Sequence, residues 1–184
     1  MDKNPALEHR ISFLPAGVLT GGYEAIISDT LDHTARRIHD NWLAETKRQI
    51  DAARTLGDEA AARKHEAKAT CRTWEALSEE QKGANRSQAD HIPYKIRAAG
   101  LDPATVTPAL WSRLSDAEVE TLSRMEHVRW ASYLWMTGWK FAPQRDDARK
   151  LHPNLVPYDR LDEPTKDYDR AAIRHLSEYL TTTR

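Results

Sequence analysis

The sequence predicts a mainly α-helical protein made of two similar helical blocks, preceded by a short extended segment. Apolar residues recur at helical spacing over most of the 184-residue chain. Serine and aspartate stand where helix N-caps are needed. A set of unlike residues also recurs at a constant separation, which indicates an internal repeat. We place the N-terminal arm at 1–28, the first block at 29–110 and the second block at 111–184.

Composition restricts the classes of function. Charged residues make up 30% of the chain and the formal net charge is -1, which is untypical of a general nucleic-acid binder. The single cysteine, Cys71, excludes an internal disulfide and a cysteine-based zinc cluster, and we expect it to be buried and inert. No apolar run approaches the roughly 20 residues of a membrane span, and no export signal is recognisable. We therefore expect a cytoplasmic protein that binds neither nucleic acid nor membrane.

The N-terminal arm and the first block are separated by the start of a helix at Asp29, an N-cap candidate. One or two short strands or a hairpin are expected in the arm, because its helix breakers are Pro15, Gly17, Gly21 and Gly22. Gly57 and Asp58 interrupt the first helix. Ser78 and Gln81 have capping-box spacing, and Pro93 should end or kink the following helix near Ile92. The apolar face of the first helix consists of Leu31, Ala35, Ile38, Trp42 and Leu43.

The second block contains two predicted helices joined by a stiff loop. Ser115 and Glu118 form another capping box, and Gly138 stands where this helix should end. Asp162 is the cap candidate of the last helix, with Pro164 tolerated in its first turn. The apolar face of the first of these helices consists of Val119, Leu122, Met125, Trp130, Tyr133 and Leu134.

The repeat is visible at two separations. His39 and Trp42 recur 88 positions later as His127 and Trp130. A separation of 84 positions relates Leu77 to Leu161, Lys82 to Lys166, Arg86 to Arg170 and His91 to His175. We therefore predict two copies of one helical unit, packed with pseudo-twofold symmetry through the faces that bear tryptophan.

The His–Trp pairs have two interpretations. His127 and Trp130 are three positions apart and share a helix face, as do His39 and Trp42. Each imidazole could hydrogen-bond a loop carbonyl while the indole fills the core, or the pairs could form the floor of a pocket. Glu126 and Arg129, at the same spacing, are expected to form a surface ion pair.

The stretch "GWKFAPQRDDARKLHPNLVPYDRL" carries the strongest chemical signal. Its aromatic residues offer planes on which a base can stack, and its basic residues offer donors for phosphate. Pro153 and Pro157 stiffen the loop, so less entropy would be lost on binding. In the alternative interpretation, Arg145–Asp146 and Lys150 form solvated pairs that only order the loop. The ligand-binding residues expected here and nearby are Trp130, Trp139, Arg145, Lys150, His152, Tyr158, His127 and Arg86.

Motifs of known catalytic chemistry are missing from the sequence. It contains no Gly-x-Ser-x-Gly, no glycine-rich phosphate loop and no His-Glu-x-x-His. Asp90 and His91 could bind a metal, but adjacent helical residues point about 100° apart, which disfavours a shared ion. We therefore expect no catalytic residue, no metal site and no cofactor.

The stretch from Glu126 to Arg170 resembles the RyR domain, the repeat first named in ryanodine receptors and also found in bacterial and phage proteins. The first block is similar to the segment that precedes this repeat in bacterial proteins, and resembles a diverged copy without the Gly-Trp and His-Pro elements. The matching residues are Glu126, His127, Trp130, Gly138, Trp139, Arg145, Asp146, Lys150, His152, Pro153, Leu155, Pro157, Tyr158, Leu161, Lys166, Asp169 and Arg170.

This resemblance implies a non-enzymatic, helical binding module. The implied ligand is a nucleotide-derived signal, either a cyclic nucleotide or an ADP-ribose-like molecule, in the setting of phage defence or counter-defence. We expect it to act through homo-oligomerisation, through a separate effector protein or by sequestering the signal. The alternative is a protein-interaction scaffold without ligand, with Trp111 and the N-terminal arm as its interface. A nucleotide-cleaving enzyme is a third and weaker hypothesis.

Overall fold

The structure is a computed structural model that describes residues 32–180, and its fold is mainly α-helical as predicted. The helices are α1 (His33–Thr55), α2 (Glu59–Glu66), α3 (Glu79–Asp90), α4 (Ile92–Ala98), α5 (Pro108–Trp111), α6 (Asp116–Met136), α7 (Glu163–Arg174) and α8 (Leu176–Tyr179). Two 3₁₀ turns cover Trp74–Ala76 and Tyr158–Arg160, and two short strands are β1 (Lys140–Phe141) and β2 (Leu151–His152). The predictions for the N-terminal arm and for an Asp29 cap lie outside the described residues. Within residues 32–180, no helix is long and apolar enough to cross a membrane.

The predicted helix starts are confirmed. The Ser78 hydroxyl accepts from the backbone N–H of Gln81, whose side chain accepts from Ser78 N–H in return. Ser115 and Glu118 form the same reciprocal pair at the start of α6. Asp162 caps α7, with a proline in the first turn. These caps satisfy N–H groups that have no partner inside their helices.

Gly138 ends α6 and sets the direction of the chain beyond it. Its φ of 91° lies in the left-handed region, where a side chain would be strained. Gly138 N–H donates to Trp135 O at 3.0 Å, and Trp139 N–H donates to Leu134 O at 2.9 Å. This is the Schellman arrangement, which turns the chain sharply at a helix C-terminus. Trp139 is therefore held beside the last turn of α6.

The main apolar core joins the two blocks. It contains Ile96, Trp111, Val119, Leu122, Ile173 and Leu176. Trp111 is 2% exposed, and its indole N–H donates to Ile173 O at 2.8 Å. Trp111 therefore cannot be the exposed contact surface expected under the scaffold hypothesis, because it fills the interior between α5 and α7.

A buried ion triad lies beside this core. Lys95 Nζ is 2.6 Å from Glu126 Oε2, and these side chains are 2% and 3% exposed. Arg129 Nη2 lies 2.7 Å from Glu126 Oε1. Burial alone would raise the pKa of Glu126, but the charges of Arg129 and Lys95 outweigh it and hold the pKa below its usual value. The expected surface pair of Glu126 and Arg129 was wrong, since the sequence does not show that α4 brings Lys95 against them.

The two blocks contain matching histidine contacts. His39 Nε2 donates to Arg72 O at 2.7 Å, and His127 Nε2 donates to Val156 O at 2.8 Å. The histidines are 88 positions apart and the carbonyls 84. Each bond ties a long helix to the segment just before a 3₁₀ turn.

Further contacts recur at the same separations. Arg36 lies 5.4 Å from the centroid of Trp74, and Arg124 lies 5.0 Å from that of Tyr158. The matching ion pairs are Arg36–Glu75 and Arg124–Asp159, Lys82–Glu79 and Lys166–Glu163, and Arg86–Glu79 and Arg170–Glu163. The tandem repeat itself stays a prediction, and these contacts are those that it requires.

We expect Glu126→Gln to lower the free energy of unfolding by about 3–5 kcal/mol, because Lys95 would stay buried without its counter-charge. Denaturant unfolding followed by circular dichroism measures the change. The matched control is Glu75→Gln, which removes a carboxylate that is 70% exposed and paired with Arg36. The control should cost less than about 1 kcal/mol. Equally small losses for both variants would contradict a structural role for the triad.

Candidate functional site

The loop that the sequence singled out, residues 139–157, folds back on itself through β1 and β2. The two strands pair in parallel, with Lys140 opposite Leu151 and Phe141 opposite His152. Lys140 N–H donates to Lys150 O at 2.8 Å. Lys150 has a φ of 54°, a left-handed conformation that is uncommon outside glycine. The pairing brings the two ends of the loop together and sets His152 close to Trp139.

Glu80, on α3 of the first block, holds both ends of this loop. Its Oε1 accepts from Trp139 Nε1 at 2.7 Å, and its Oε2 accepts from Lys150 Nζ at 2.7 Å. Its backbone carbonyl accepts from the Tyr133 hydroxyl at 2.7 Å. The Lys150 hydrogen bond is the largest cause of a lowered pKa at Glu80. The carboxylate is therefore charged at neutral pH and acts as a clamp between α3 and the loop.

Lys150 serves this clamp more than it serves a ligand. Besides its bond to Glu80, its ammonium donates to Thr137 O at 2.8 Å. Two of its three N–H donors are thus engaged. The solvated pair expected in the alternative interpretation is instead a contact with another helix, and the site prediction for Lys150 gains no support from this geometry.

His152 lies between two indole rings. Its ring centroid is 5.0 Å from that of Trp130 and 6.0 Å from that of Trp139, both in edge-on geometry. The side chain is 7% exposed. The Arg145 guanidinium lies 5.8 Å from the Trp139 centroid, and its Nη1 is 3.2 Å from His152 Nε2. We call Trp130, Trp139, Arg145 and His152 the His152 cluster.

The two nitrogens of His152 both face N–H donors. Asn154 N–H points at Nδ1 at 3.1 Å, and Arg145 Nη1 points at Nε2. A neutral imidazole has only one acceptor nitrogen, and a guanidinium is always a donor. Burial, followed by the Arg145 charge, lowers the pKa of His152 to about 4, so the ring is neutral at pH 7. Asn154 N–H is fixed in the backbone whereas Arg145 can turn, so Nδ1 accepts and Nε2 carries the proton. Two donors, Nε2–H and the guanidinium, then converge on one point.

Arg145 has a carboxylate partner that the sequence did not indicate. Its Nε lies 2.6 Å from Asp147 Oδ1, whereas Asp146 was the expected partner. The two side chains are 50% and 42% exposed, so this pair is solvated and contributes little to stability. Asp146 instead accepts from Arg149 N–H at 3.0 Å and shapes the turn. Asp147 orients the guanidinium while Nη1 remains directed at His152.

His127 supports the loop from below. Its Nε2 donates to Val156 O, and its Nδ1 lies 3.3 Å from Asp169 Oδ2. Burial opposes protonation, but Asp169 and the Val156 carbonyl outweigh it and raise the pKa of His127. With both nitrogens engaged and only 3% of the residue exposed, His127 fixes the position of the loop. The carbonyl-bonding interpretation describes its contact, and no ligand contact is evident.

Tyr158 and Arg86, also expected in the site, are not brought into the His152 cluster. Tyr158 is 5% exposed and its ring meets that of His127 at 5.8 Å. Its hydroxyl is buried without a hydrogen bond of good geometry, and burial, together with the Glu120 charge, raises its pKa to about 12. Arg86 donates to Glu79 at 3.0 Å and lies 5.9 Å from the Trp74 centroid.

Lys68 is a cation that sequence reasoning missed. Its Nζ lies 5.8 Å from the centroid of Trp42 and 5.4 Å from that of Tyr168. Burial is the main cause of a lowered pKa at Lys68, and the Arg145 charge lowers it further. Lys68 precedes His152 by 84 positions, the second repeat separation. Placing the known separation on His152 could therefore have identified it.

Two other kinds of site were considered in the described part of the chain. Within residues 32–180 no group of three or more His, Cys, Asp or Glu side chains could hold a metal ion. A cavity of about 320 Å³ is lined by Asp116, Val119, Glu120, Asp167, Arg170 and Arg174. Arg170 is already paired with Glu120, Glu163 and Asp167. This cavity lacks a free positive charge at Arg170 and contains none of the predicted ligand-binding residues.

The family model of the RyR domain matches residues 107–183. This segment of the chain is an RyR domain. The RyR domain supplies all four residues of the His152 cluster. Glu80, Lys68 and Trp42 precede it in the chain, so the loop of the RyR domain is clamped by a helix from outside the matched region.

We expect the His152 ring to stay neutral, in the Nε2–H form, from pH 8 down to about pH 5, because its pKa is about 4. Long-range ¹⁵N–¹H correlation spectra of the imidazole nitrogens report both the tautomer and the titration. His127 provides the internal comparison, since its pKa is raised above 6.5. A His152 ring that protonates together with His127 would contradict the described contacts.

We also expect Glu80→Ala to release the loop. Without the carboxylate, Trp139 Nε1–H and the Lys150 ammonium lose their partner, and exchange of the Trp139 indole proton should quicken by about tenfold or more. Hydrogen exchange followed by NMR measures this rate. Glu75→Ala, which removes an exposed carboxylate one turn earlier, is the control and should leave the rate unchanged. Unaltered exchange in Glu80→Ala would show that the loop is held by other contacts.

Proposed function

We propose that the protein is a non-enzymatic binding module for a small anionic molecule that carries a flat ring, such as a cyclic nucleotide or an ADP-ribose-like signal. The observation that carries this proposal is the convergence of Arg145 Nη1 and His152 Nε2 at 3.2 Å. Two donors without an acceptor between them are an unfavourable arrangement. An oxygen of a phosphate or carbonyl group would accept from both.

The surroundings of these donors favour a ligand that combines charge with a ring. Trp130 and Trp139 flank His152 and are partly buried, so each retains accessible aromatic surface. Arg145 is half exposed and can move toward an anion without loss of a buried ion pair. Aromatic faces beside a guanidinium are the usual means of binding a phosphorylated base.

The chemistry of the cluster favours binding over catalysis. A general base works best with a pKa near the working pH. His152, with a pKa of about 4, is a weak base, and Asp147 is engaged by Arg145. A non-enzymatic role is therefore part of the proposal, as are a cytoplasmic location and a setting in phage defence or counter-defence, which follow from the resemblance stated above.

The scaffold hypothesis is the second candidate, and exposed apolar side chains favour it. Val128 and Trp135 are 62% and 56% exposed, and their spacing of seven positions places them on one face of α6. Met136 and Phe141 are 79% and 55% exposed. A homo-oligomer partner or an effector protein would cover these residues, in place of Trp111.

We also propose that the first block is a diverged copy of the RyR domain. The histidine–carbonyl bonds and the ion pairs that recur at separations of 88 and 84 positions support this relation. The first block has Lys68 where the RyR domain has His152. The two copies would thus contribute different groups to one asymmetric site.

Calorimetric titration with cyclic AMP, cyclic di-AMP and ADP-ribose tests the proposed function. We expect at least one to bind, and Arg145→Gln to weaken that binding by about tenfold or more, as loss of a charged hydrogen bond does. Arg149→Gln is the matched control, because it removes the same charge from the same exposed loop and should change affinity less than about threefold. No heat from any of the three compounds, or equal losses in both variants, would contradict the proposal.

A further inference from the structure

Lys68 occupies an unusual position for a surface lysine. The ammonium lies between the ring of Trp42, in the first block, and the ring of Tyr168, in the RyR domain, at 5.8 and 5.4 Å from their centroids. The side chain is partly buried. Lys68 therefore sits where the two parts of the chain meet, and its charge is directed into that boundary.

The ammonium lacks a counter-charge among the residues that the structure describes. Between residues 32 and 180 no carboxylate lies within 4.0 Å of Lys68 Nζ. Other lysines with little exposure are paired, Lys95 with Glu126 at 2.6 Å and Lys150 with Glu80 at 2.7 Å. Placing a cation out of water without an anion is costly, and ring faces compensate only in part. An anion supplied from outside would complete the arrangement.

Arg145 is close to Lys68, because its charge contributes to the lowered pKa of that lysine. Two cations that repel each other across one boundary destabilise the unliganded protein. A ligand with negative charge near both would remove this repulsion and would gain affinity from each cation.

We propose that Lys68 forms a second anion subsite beside the Arg145–His152 pair, so that the site binds a ligand with two anionic groups and is completed by the first block. The inference rests on the proposed function and narrows its ligand class to dinucleotides and diphosphate-containing nucleotides. Such a ligand touches both the RyR domain and the first block. Its binding would therefore stabilise their contact, which is how occupancy of the site could be transmitted to a partner.

The test compares ligands that differ in the number of anionic groups. Full-length protein is titrated with cyclic di-AMP against cyclic AMP, and with inorganic pyrophosphate against inorganic phosphate. We expect Lys68→Gln to weaken the better-binding doubly anionic compound by about tenfold and its singly anionic counterpart by less than about twofold. Lys64→Gln, an exposed lysine four positions away, should weaken both by less than about twofold, and Lys68→Arg should retain most of the affinity.

The outcomes separate this inference from the proposed function. Nucleotide binding that survives Lys68→Gln unchanged would overturn the second subsite and leave the proposed function intact. Equal losses in Lys64→Gln and Lys68→Gln would overturn it as well, since they indicate general charge attraction. A lower melting temperature of Lys68→Gln with unchanged affinity would assign the lysine a purely structural role. Wild-type protein that binds none of the nucleotides would overturn the proposed function itself.

Discussion

The arrangement of the site depends on one carboxylate, that of Glu80. A loop of nineteen residues between α6 and the second 3₁₀ turn would ordinarily sample many conformations, and ordering it costs entropy at every residue. Glu80 binds Trp139 at the start of the loop and Lys150 near its end, in each case at 2.7 Å. Because both bonds converge on one side chain, the two ends are held at a fixed separation. The proline residues and β1–β2 pairing then have only the middle of the loop to order.

The same interaction explains why a loop so rich in basic residues offers few free charges. Lys150 is neutralised by Glu80, and Arg145 is partly neutralised by Asp147. What remains directed at a ligand is a small number of N–H groups in fixed positions, Nη1 of Arg145 and Nε2–H of His152. Fixed donors select for the geometry of an acceptor, whereas a diffuse positive patch would select only for charge. The buried triad of Lys95, Glu126 and Arg129 holds α3, α4 and α6 behind this loop, since Arg129 also reaches Ser87 on α3 at 3.2 Å.

Local features of this fold could be predicted from the sequence, because their causes lie within four residues of each other. The capping boxes at Ser78 and Ser115 and the stop at Gly138 are of this kind. Contacts between distant residues could not be predicted. Trp139 meets Glu80 across 59 positions, and nothing in the local pattern of either residue indicates the other. The aromatic and basic residues of the loop identified its chemistry, but they did not show which charges the fold neutralises or that Lys68 approaches from the first block.

A crystal structure of the protein with its best-binding nucleotide tests the account most directly. We predict a phosphate oxygen within hydrogen-bond distance of both Arg145 Nη1 and His152 Nε2, with a second anionic group toward Lys68 and the base against an indole of Trp130 or Trp139. A nucleotide bound elsewhere, for example in the cavity lined by Arg170 and Arg174, with Arg145 and His152 still facing each other at an unchanged distance, would contradict it.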